Sequence, residues 1–493
     1  MDYLPSDAVR QIKAGLDHPV IDSDGHAIEY LPLVRDILRA QAGDDAVAAM
    51  DLVTGGAARA RGLTPEQMRA AGLVRTSWWG LPTRNTLDRA TALLPELLAA
   101  RLPEVGIDHA ILYPTYGLVP AALDDATLRL PLARAFNTFY AEAFRDHAAS
   151  LTPVGIIPMH TPDEAIAELE FATRELGLKA FMFGGPISRP APGVDPPSRA
   201  ARWLDSLGLD SMYDYDPVWR RCVELGVAPT FHTAAMGWTV RASVSNYVFN
   251  HIGMFAIAGE LLALSLFLGG VPQRFPSLRF AFQEGGVAWA AGLYANLVGH
   301  WEKRNRDTVE HYNPMHLDRA RLVELFEEHG SARYRERLDQ LDAGLRMLSL
   351  PDEDLATVDE FSRCGITDVD DIRDVFTTAY HFGCEADDPM TALAFDAGRN
   401  PGGARFKALF ASDIGHWDVP DIRGVLPEAW ELVEDGHATE ADFRALTFEH
   451  AVSLWAGGNP SFFAGTTVED AVRNELERTS LERTSLERTG RAG

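Results

Sequence analysis

Cysteine is scarce in this chain: only Cys222, Cys364 and Cys384 occur in 493 residues. No two of them stand at the spacing of a zinc ribbon or a dithiol redox motif. The expectation is three reduced thiols in a cytosolic protein, with no disulfide scaffold. Basic residues are also short, 45 Lys and Arg against 71 Asp and Glu, for a formal charge of −26. Such a surface repels a phosphate backbone, so nucleic-acid binding is set aside. Long apolar runs are missing too. The N-terminus, Met1-Asp-Tyr-Leu-Pro-Ser-Asp, has no basic stretch followed by an apolar core, as a secretory signal requires. The longest apolar stretch, Met254 to Gly270, contains Glu260 and several glycines and is short for a bilayer. It reads as a buried helix, so no membrane partner is expected and a cytoplasmic location is the default.

What is present is ample core material. With 46% hydrophobic and 24% charged residues the chain can build one large core or two ordinary ones, which excludes a disordered or fibrous reading. Short β-branched or apolar runs alternate with amphipathic helical stretches, the pattern of a parallel sheet with crossover helices. The runs are Pro19 to Asp24, Ile107 to Tyr113, Pro153 to Met159, Leu178 to Phe183, Val227 to His232, Leu278 to Glu284, Phe376 to Phe382 and Lys407 to Asp413. Eight runs suit a closed (β/α)₈ TIM barrel. No glycine-rich phosphate loop follows the first run, so an open doubly wound sheet lacks its usual signature.

A single barrel domain is expected over 1–475, with helical insertions at about 34–102 and 293–374. The first insertion includes the Trp78-Trp79 pair, placed either over a pocket or against the barrel rim. The tail 476–493 repeats Leu-Glu-Arg-Thr-Ser, offers little apolar surface, and reads as a frayed helix or disorder without chemistry.

Chemistry gathers at the ends of the runs. Asp24 and His26 alternate at the end of the first, so both side chains point the same way. The fifth ends in Ala228-Pro-Thr-Phe-His232, the sixth in Ala281-Phe-Gln-Glu284-Gly-Gly, the eighth in Ala411-Ser-Asp413-Ile-Gly-His416-Trp-Asp418. One histidine or carboxylate at a strand end is more often a satisfied core group or a helix cap. Four strand ends agreeing, on the face where barrel enzymes assemble their sites, point to a metal centre. Imidazoles with carboxylates suit zinc, iron or manganese, and no cysteine lies nearby to make a thiolate site. His251, in Asn250-His251-Ile-Gly, stands almost evenly between ligand and buried helical histidine; His416 is a ligand or a group orienting Asp413. Ser412 lacks a nucleophile-elbow context. Gly184-Gly185-Pro186 reads as a turn. Arg241, Arg84 and Lys179 are conceivable partners for an anionic handle, with surface solvation as the default.

These motifs resemble the amidohydrolase-related family that includes aminocarboxymuconate semialdehyde decarboxylase and the aromatic-acid decarboxylases, over about Val20 to Trp455 outside the insertions. Asp24-Gly-His26 matches the family's strand-one pair with Asp in first place, His232 its strand-five metal histidine, and Asp413 its strand-eight aspartate. Glu284 departs from the pattern, since the decarboxylases carry a catalytic histidine there. An ionised carboxylate accepts but does not donate, which takes support from decarboxylation. Asp-x-His, Phe-His-Thr-Ala and Glu-Gly-Gly together resemble the nonheme diiron monooxygenases of platensimycin and platencin biosynthesis. That resemblance implies O₂-dependent hydroxylation of a diterpenoid acyl-coenzyme A, two iron ions and an electron donor.

The leading expectation is therefore a diiron monooxygenase of antibiotic biosynthesis with Asp24, His26, His232, His251, Glu284, Asp413 and His416 as metal ligands and Glu284 and Asp413 as catalytic residues. The rival is a mononuclear zinc or manganese hydrolase or decarboxylase, in which Asp413 activates water and Glu284 assists proton transfer. A non-catalytic binding protein on the same scaffold is the third reading. A homo-oligomer is left open.

Overall fold

The computed structural model describes residues 3–55, 62–77, 84–194, 201–346 and 358–490. Its strands are β1 (Ile21–Ala27), β2 (His109–Pro114), β3 (Leu151–Ile157), β4 (Ala180–Phe183), β5 (Ile187–Pro190), β6 (Arg202–Asp205), β7 (Pro229–Phe231), β8 (Phe280–Phe282), β9 (Tyr380–Glu385) and β10 (Lys407–Ala411). Eight of them form one parallel sheet in the order β1-β2-β3-β4-β7-β8-β9-β10, and β5 with β6 makes a separate antiparallel hairpin. The first and last barrel strands meet through Asp413 N donating to Asp24 O at 3.0 Å and His26 N donating to Ile414 O at 2.9 Å. The closing contact is made by the backbone of site residues.

Both faces of the sheet are covered, so its strands are buried along their length rather than alternating. In β4, Ala-Phe-Met-Phe is buried at every position. Phe231, Phe282 and Phe382 are adjacent in register and stack ring on ring, 5.8 and 6.1 Å between centroids. Trp289, on the helix Ala288–Arg304, meets Phe282 and Phe382 edge-on. The helix Met254–Leu268 approaches closely at Gly259, where a methyl group would stand 3.1 Å from the Trp289 ring. Leu262, Leu266 and Phe267 of that helix are buried in the core. By length and composition alone the span Tyr247–Leu268 is apolar enough to cross a membrane, but half of its most apolar window is buried within the fold. It is a core helix, as its sequence suggested.

Each of the eight expected runs becomes a barrel strand. The seventh is displaced: Phe376 lies in a wide helical turn, Val375–Ala379, and β9 runs from Tyr380 to Glu385. Phe376 is buried against Phe267, Tyr294, Tyr380 and Phe406, so the apolar run continues from turn to strand and hydrophobicity alone cannot mark the boundary. The first insertion carries helices at Asp44–Thr54, Pro65–Ala71, Thr86–Leu93 and Pro95–Val105, and the second includes Arg319–His329 and Val369–Asp374. Trp78 and Trp79 lie outside the described residues. The repetitive tail continues a helix, Glu469–Gly490, whose first turns bury Val472 and Glu475. The three cysteines are free and buried.

Candidate metal centre

The centre begins with the backbone of β1. Its register against β2 shifts between Asp22 and Gly25, and a methyl group at Gly25 would stand 2.5 Å from Asp22 Oδ2. Glycine therefore lets the strand tighten just where Asp24 and His26 turn into the barrel mouth. Asp22, fully buried, accepts from Ser412 Oγ at 2.6 Å, from Ser412 N at 3.0 Å and from Asp24 N at 3.2 Å, locking β1 to the end of β10. Ser412 thus has a structural bond and no nucleophile's base. Glu284 and Asp413 follow the ends of β8 and β10 with φ of 55° and 48°, left-handed conformations that non-glycine residues rarely hold. Strain of this kind collects at functional sites.

The side chains converge. His26 Nδ1 donates to Pro114 O at 3.2 Å, which leaves Nε2 as the lone-pair nitrogen, 3.2 Å from His232 Nε2. From His26 Nε2 it is 3.7 Å to Asp24 Oδ1 and 3.5 Å to Asp413 Oδ1; from His232 Nε2 it is 3.0 Å to Glu284 Oε2. His416 lies flat on His26, centroids 3.8 Å apart, with Nδ1 2.7 Å from Asp413 Oδ1 and Nε2 3.3 Å from Thr115 Oγ1. Among the described residues three donor sets overlap: Asp24, His26 and His232; His26, Glu284, Asp413 and His416; His251, Glu284 and Asp418. All seven predicted residues thus reach the barrel mouth. Six form the inner group, whereas His251 stands in the outer set, between the rings of Tyr247 and Trp417.

Charge is unbalanced here. Asp24 and Glu284 are held well above the usual carboxylate range, by burial first and by neighbouring carboxylates second. Burial likewise pushes Asp413 up to about 7 and Glu385 up to about 8. The imidazoles move the other way: burial holds His232 down at about 3 and His416 at about 4, so both are neutral and free to ligate. Asp24 Oδ1, Asp413 Oδ2 and Glu284 Oε2 are buried without a hydrogen-bond partner, and Asp413 Oδ1 has His416 Nδ1 beside it at 2.7 Å. Orphaned acceptors of this number are costly unless a cation meets them. Among the described residues no Lys or Arg is a leading influence on these carboxylates. Hard oxygens with neutral imidazoles form a donor set that fits a divalent cation such as zinc or manganese.

Sequence reasoning missed Glu385 and undervalued Asp418. Glu385 ends β9, but the run drawn from Phe376 to Phe382 stopped short of it. Asp418 closes the Ser-Asp-x-x-His-x-Asp pattern, and burial pushes it up to about 7 beside Asp413. Two of the three basic residues considered for an anionic handle have other bonds. Lys179 Nζ donates to Phe462 O, and Arg241 donates to Phe249 O.

The family model described as amidohydrolase matches residues 89–334. Over those residues the barrel is similar to the amidohydrolase family. Its fold is similar to that of an amidohydrolase from Mycobacterium avium subsp. paratuberculosis, at 19% identity and a TM-score of 0.50, covering 90% of this chain and 100% of that one. Two decarboxylases are also similar. One acts on 2,6-dihydroxybenzoate and comes from Rhizobium: 15% identity, TM-score 0.46, 89% of this chain and 98% of that one. The other, a dihydroxybenzoic acid decarboxylase from Polaromonas with bound manganese, shows 16% identity and a TM-score of 0.47 over 89% and 97% of the two chains. Among curated proteins none matches the sequence.

These findings correct the leading expectation. The diiron monooxygenase reading, with its two irons, O₂ and hydroxylation of a diterpenoid acyl-coenzyme A, does not stand. The family model that matches is described as amidohydrolase, and the fold is similar to that of a solved amidohydrolase, with no oxygenase among these findings. The physical reason is that histidines and carboxylates at strand ends serve hydrolytic, decarboxylating and oxidative metal sites alike. A surplus of such ligands in an amidohydrolase sequence does not fix the number of metals.

Proposed function

We propose that this chain is a metal-dependent, oxygen-independent hydrolase acting at an acyl or carboxyl carbon, with one divalent cation of the zinc or manganese kind. The observation that supports it is the buried set of unpartnered acceptors on Asp24, Glu284 and Asp413 beside neutral imidazoles. Asp24, His26, His232 and Asp413 would hold the cation. Such an ion supplies Lewis-acid polarisation of a carbonyl and makes water a better nucleophile at neutral pH. The protein's own groups handle the protons. Asp413 accepts a proton at Oδ2 while His416 Nδ1, 2.7 Å from Oδ1, keeps the carboxylate in orientation. Glu284, at 3.0 Å from His232, delivers a proton from Oε2 to the leaving atom.

Decarboxylation is the second reading, and one observation favours it. Burial keeps the Glu284 carboxyl protonated well above the ordinary range, so it can donate to a carbon from which CO₂ has departed. The test is turnover under strict anaerobiosis by protein loaded with Mn²⁺ or Zn²⁺, against amides, esters and aromatic carboxylates. One cation per chain and many turnovers without O₂ are expected, with CO₂ release separating the two readings. Turnover that requires O₂, or a chain that takes up no metal, overturns the proposal.

A further inference from the structure

Beneath the metal centre lies a second layer of polar groups that no step above uses. Gln283 Nε2 donates both to Ser23 O and to Tyr113 Oη, each at 2.9 Å. Tyr113 Oη donates to Thr230 Oγ1 at 2.7 Å, and Thr230 Oγ1 donates to Phe181 O at 2.8 Å. The chain of bonds crosses the barrel interior from β1 through β2 and β7 to β4, and its three side chains are buried. Gly383 makes room for it, since a methyl group there would stand 2.3 Å from Gln283 Oε1.

Each member of this belt adjoins a group of the centre. Ser23 precedes Asp24, Gln283 precedes Glu284, Thr230 lies two residues before His232, and Tyr113 precedes Pro114, whose carbonyl orients His26. The Tyr113 ring also supports both imidazoles, 6.3 Å from the His26 centroid and 5.6 Å from that of His232. A barrel core needs only apolar packing at this depth. A continuous polar chain there costs desolvation, the more so because Gln283 Oε1 is buried without a partner, and the bonds that are made specify one arrangement of the strand ends.

We propose that the Gln283–Tyr113–Thr230 belt is a positioning device for the metal centre, setting the separation of the strand ends that carry Asp24, His26, His232 and Glu284. It rests on the reading of those residues as a metal site. Its members touch neither the cation nor the substrate; they act by fixing the groups above them, as hydrogen-bond partners behind metal ligands do.

Thr230→Val, which is nearly isosteric, removes the hydroxyl that Tyr113 needs. Thr230→Ser keeps it, and Tyr113→Phe keeps the ring but breaks two bonds. Mn²⁺ affinity by chelator competition, the visible spectrum of Co²⁺-loaded protein and thermal stability are measured on each. Thr230→Val and Tyr113→Phe are expected to weaken Mn²⁺ binding by about ten- to hundredfold and to alter the Co²⁺ bands. Thr230→Ser should restore both. Affinity and spectrum unchanged from the unmodified chain, with only stability lowered, would overturn the belt as a positioning device. An unmodified chain that binds neither metal sinks the functional reading itself, so the two failures are told apart.

Discussion

His232 and Glu284 come within 3.0 Å of each other, Nε2 to Oε2, in a buried site where the imidazole is neutral and the carboxyl is driven toward its protonated form. In the proposed reading His232 holds the cation and Glu284 carries the proton, so their substitutions are expected to have different effects.

Glu284→Gln keeps the size of the side chain and removes the transferable proton. With Asp24, His26, His232 and Asp413 holding the cation, metal content should stay near one per chain. kcat should fall by about 10²- to 10⁴-fold, the usual contribution of a positioned acid or base. Metal analysis and steady-state kinetics on the same preparation check it, and loss of the metal would place Glu284 among the ligands.

His26→Ala and His232→Ala remove neutral imidazoles from the centre, while the aromatic core of Phe231, Phe282 and Phe382 is built elsewhere. Both variants should fold, by circular dichroism, and bind Mn²⁺ or Zn²⁺ at least about 100-fold more weakly, beyond the range seen for partners behind the ligands. Stoichiometric metal retained in both would remove the proposed site.

The carboxylates make stability depend on pH with a definite sign. Asp413 and Asp418 are pushed up to about 7 and Glu385 up to about 8, above all by burial. Between pH values of about 4 and 8 the folded, metal-free protein therefore binds more protons at these groups than the unfolded chain does. Their contribution to stability is fully present at the acid end and is lost as pH rises through that window. A divalent cation takes the place of those protons, so saturating Mn²⁺ should raise the Tm more at pH 8 than at pH 5. Calorimetric scans at the two pH values decide it; an equal shift at both contradicts the assignment.

Gly25→Ala tests the tightness of β1. The added methyl group would lie 2.5 Å from Asp22 Oδ2 and 3.1 Å from Leu112 Cδ2. Asp22 is held by Ser412 on the opposite strand and has no room to retreat. Destabilisation of about 1–3 kcal/mol is expected, as for other overpacked cores, together with weaker metal uptake. Denaturant unfolding followed by metal titration reads both effects.

By itself the sequence determined the barrel and the residue types at its mouth. Strands buried on both faces must be written as short apolar runs, and the residue after such a run enters the site, so Asp24, His26, His232, Glu284 and Asp413 were legible from position alone. The end of β9 was not, because the apolar run that begins at Phe376 passes through a helical turn before the strand starts, which hid Glu385. Only the tertiary structure decided that the carboxylates gather with one another and, among the described residues, with no Lys or Arg as a leading influence, that His416 stacks on His26, that His251 keeps to the outer set, and that a polar belt runs under the centre. Those facts depend on burial and on hydrogen-bond partners hundreds of residues apart, such as Asp22 and Ser412 or Ser23 and Gln283. Periodicity along the chain carries no trace of them.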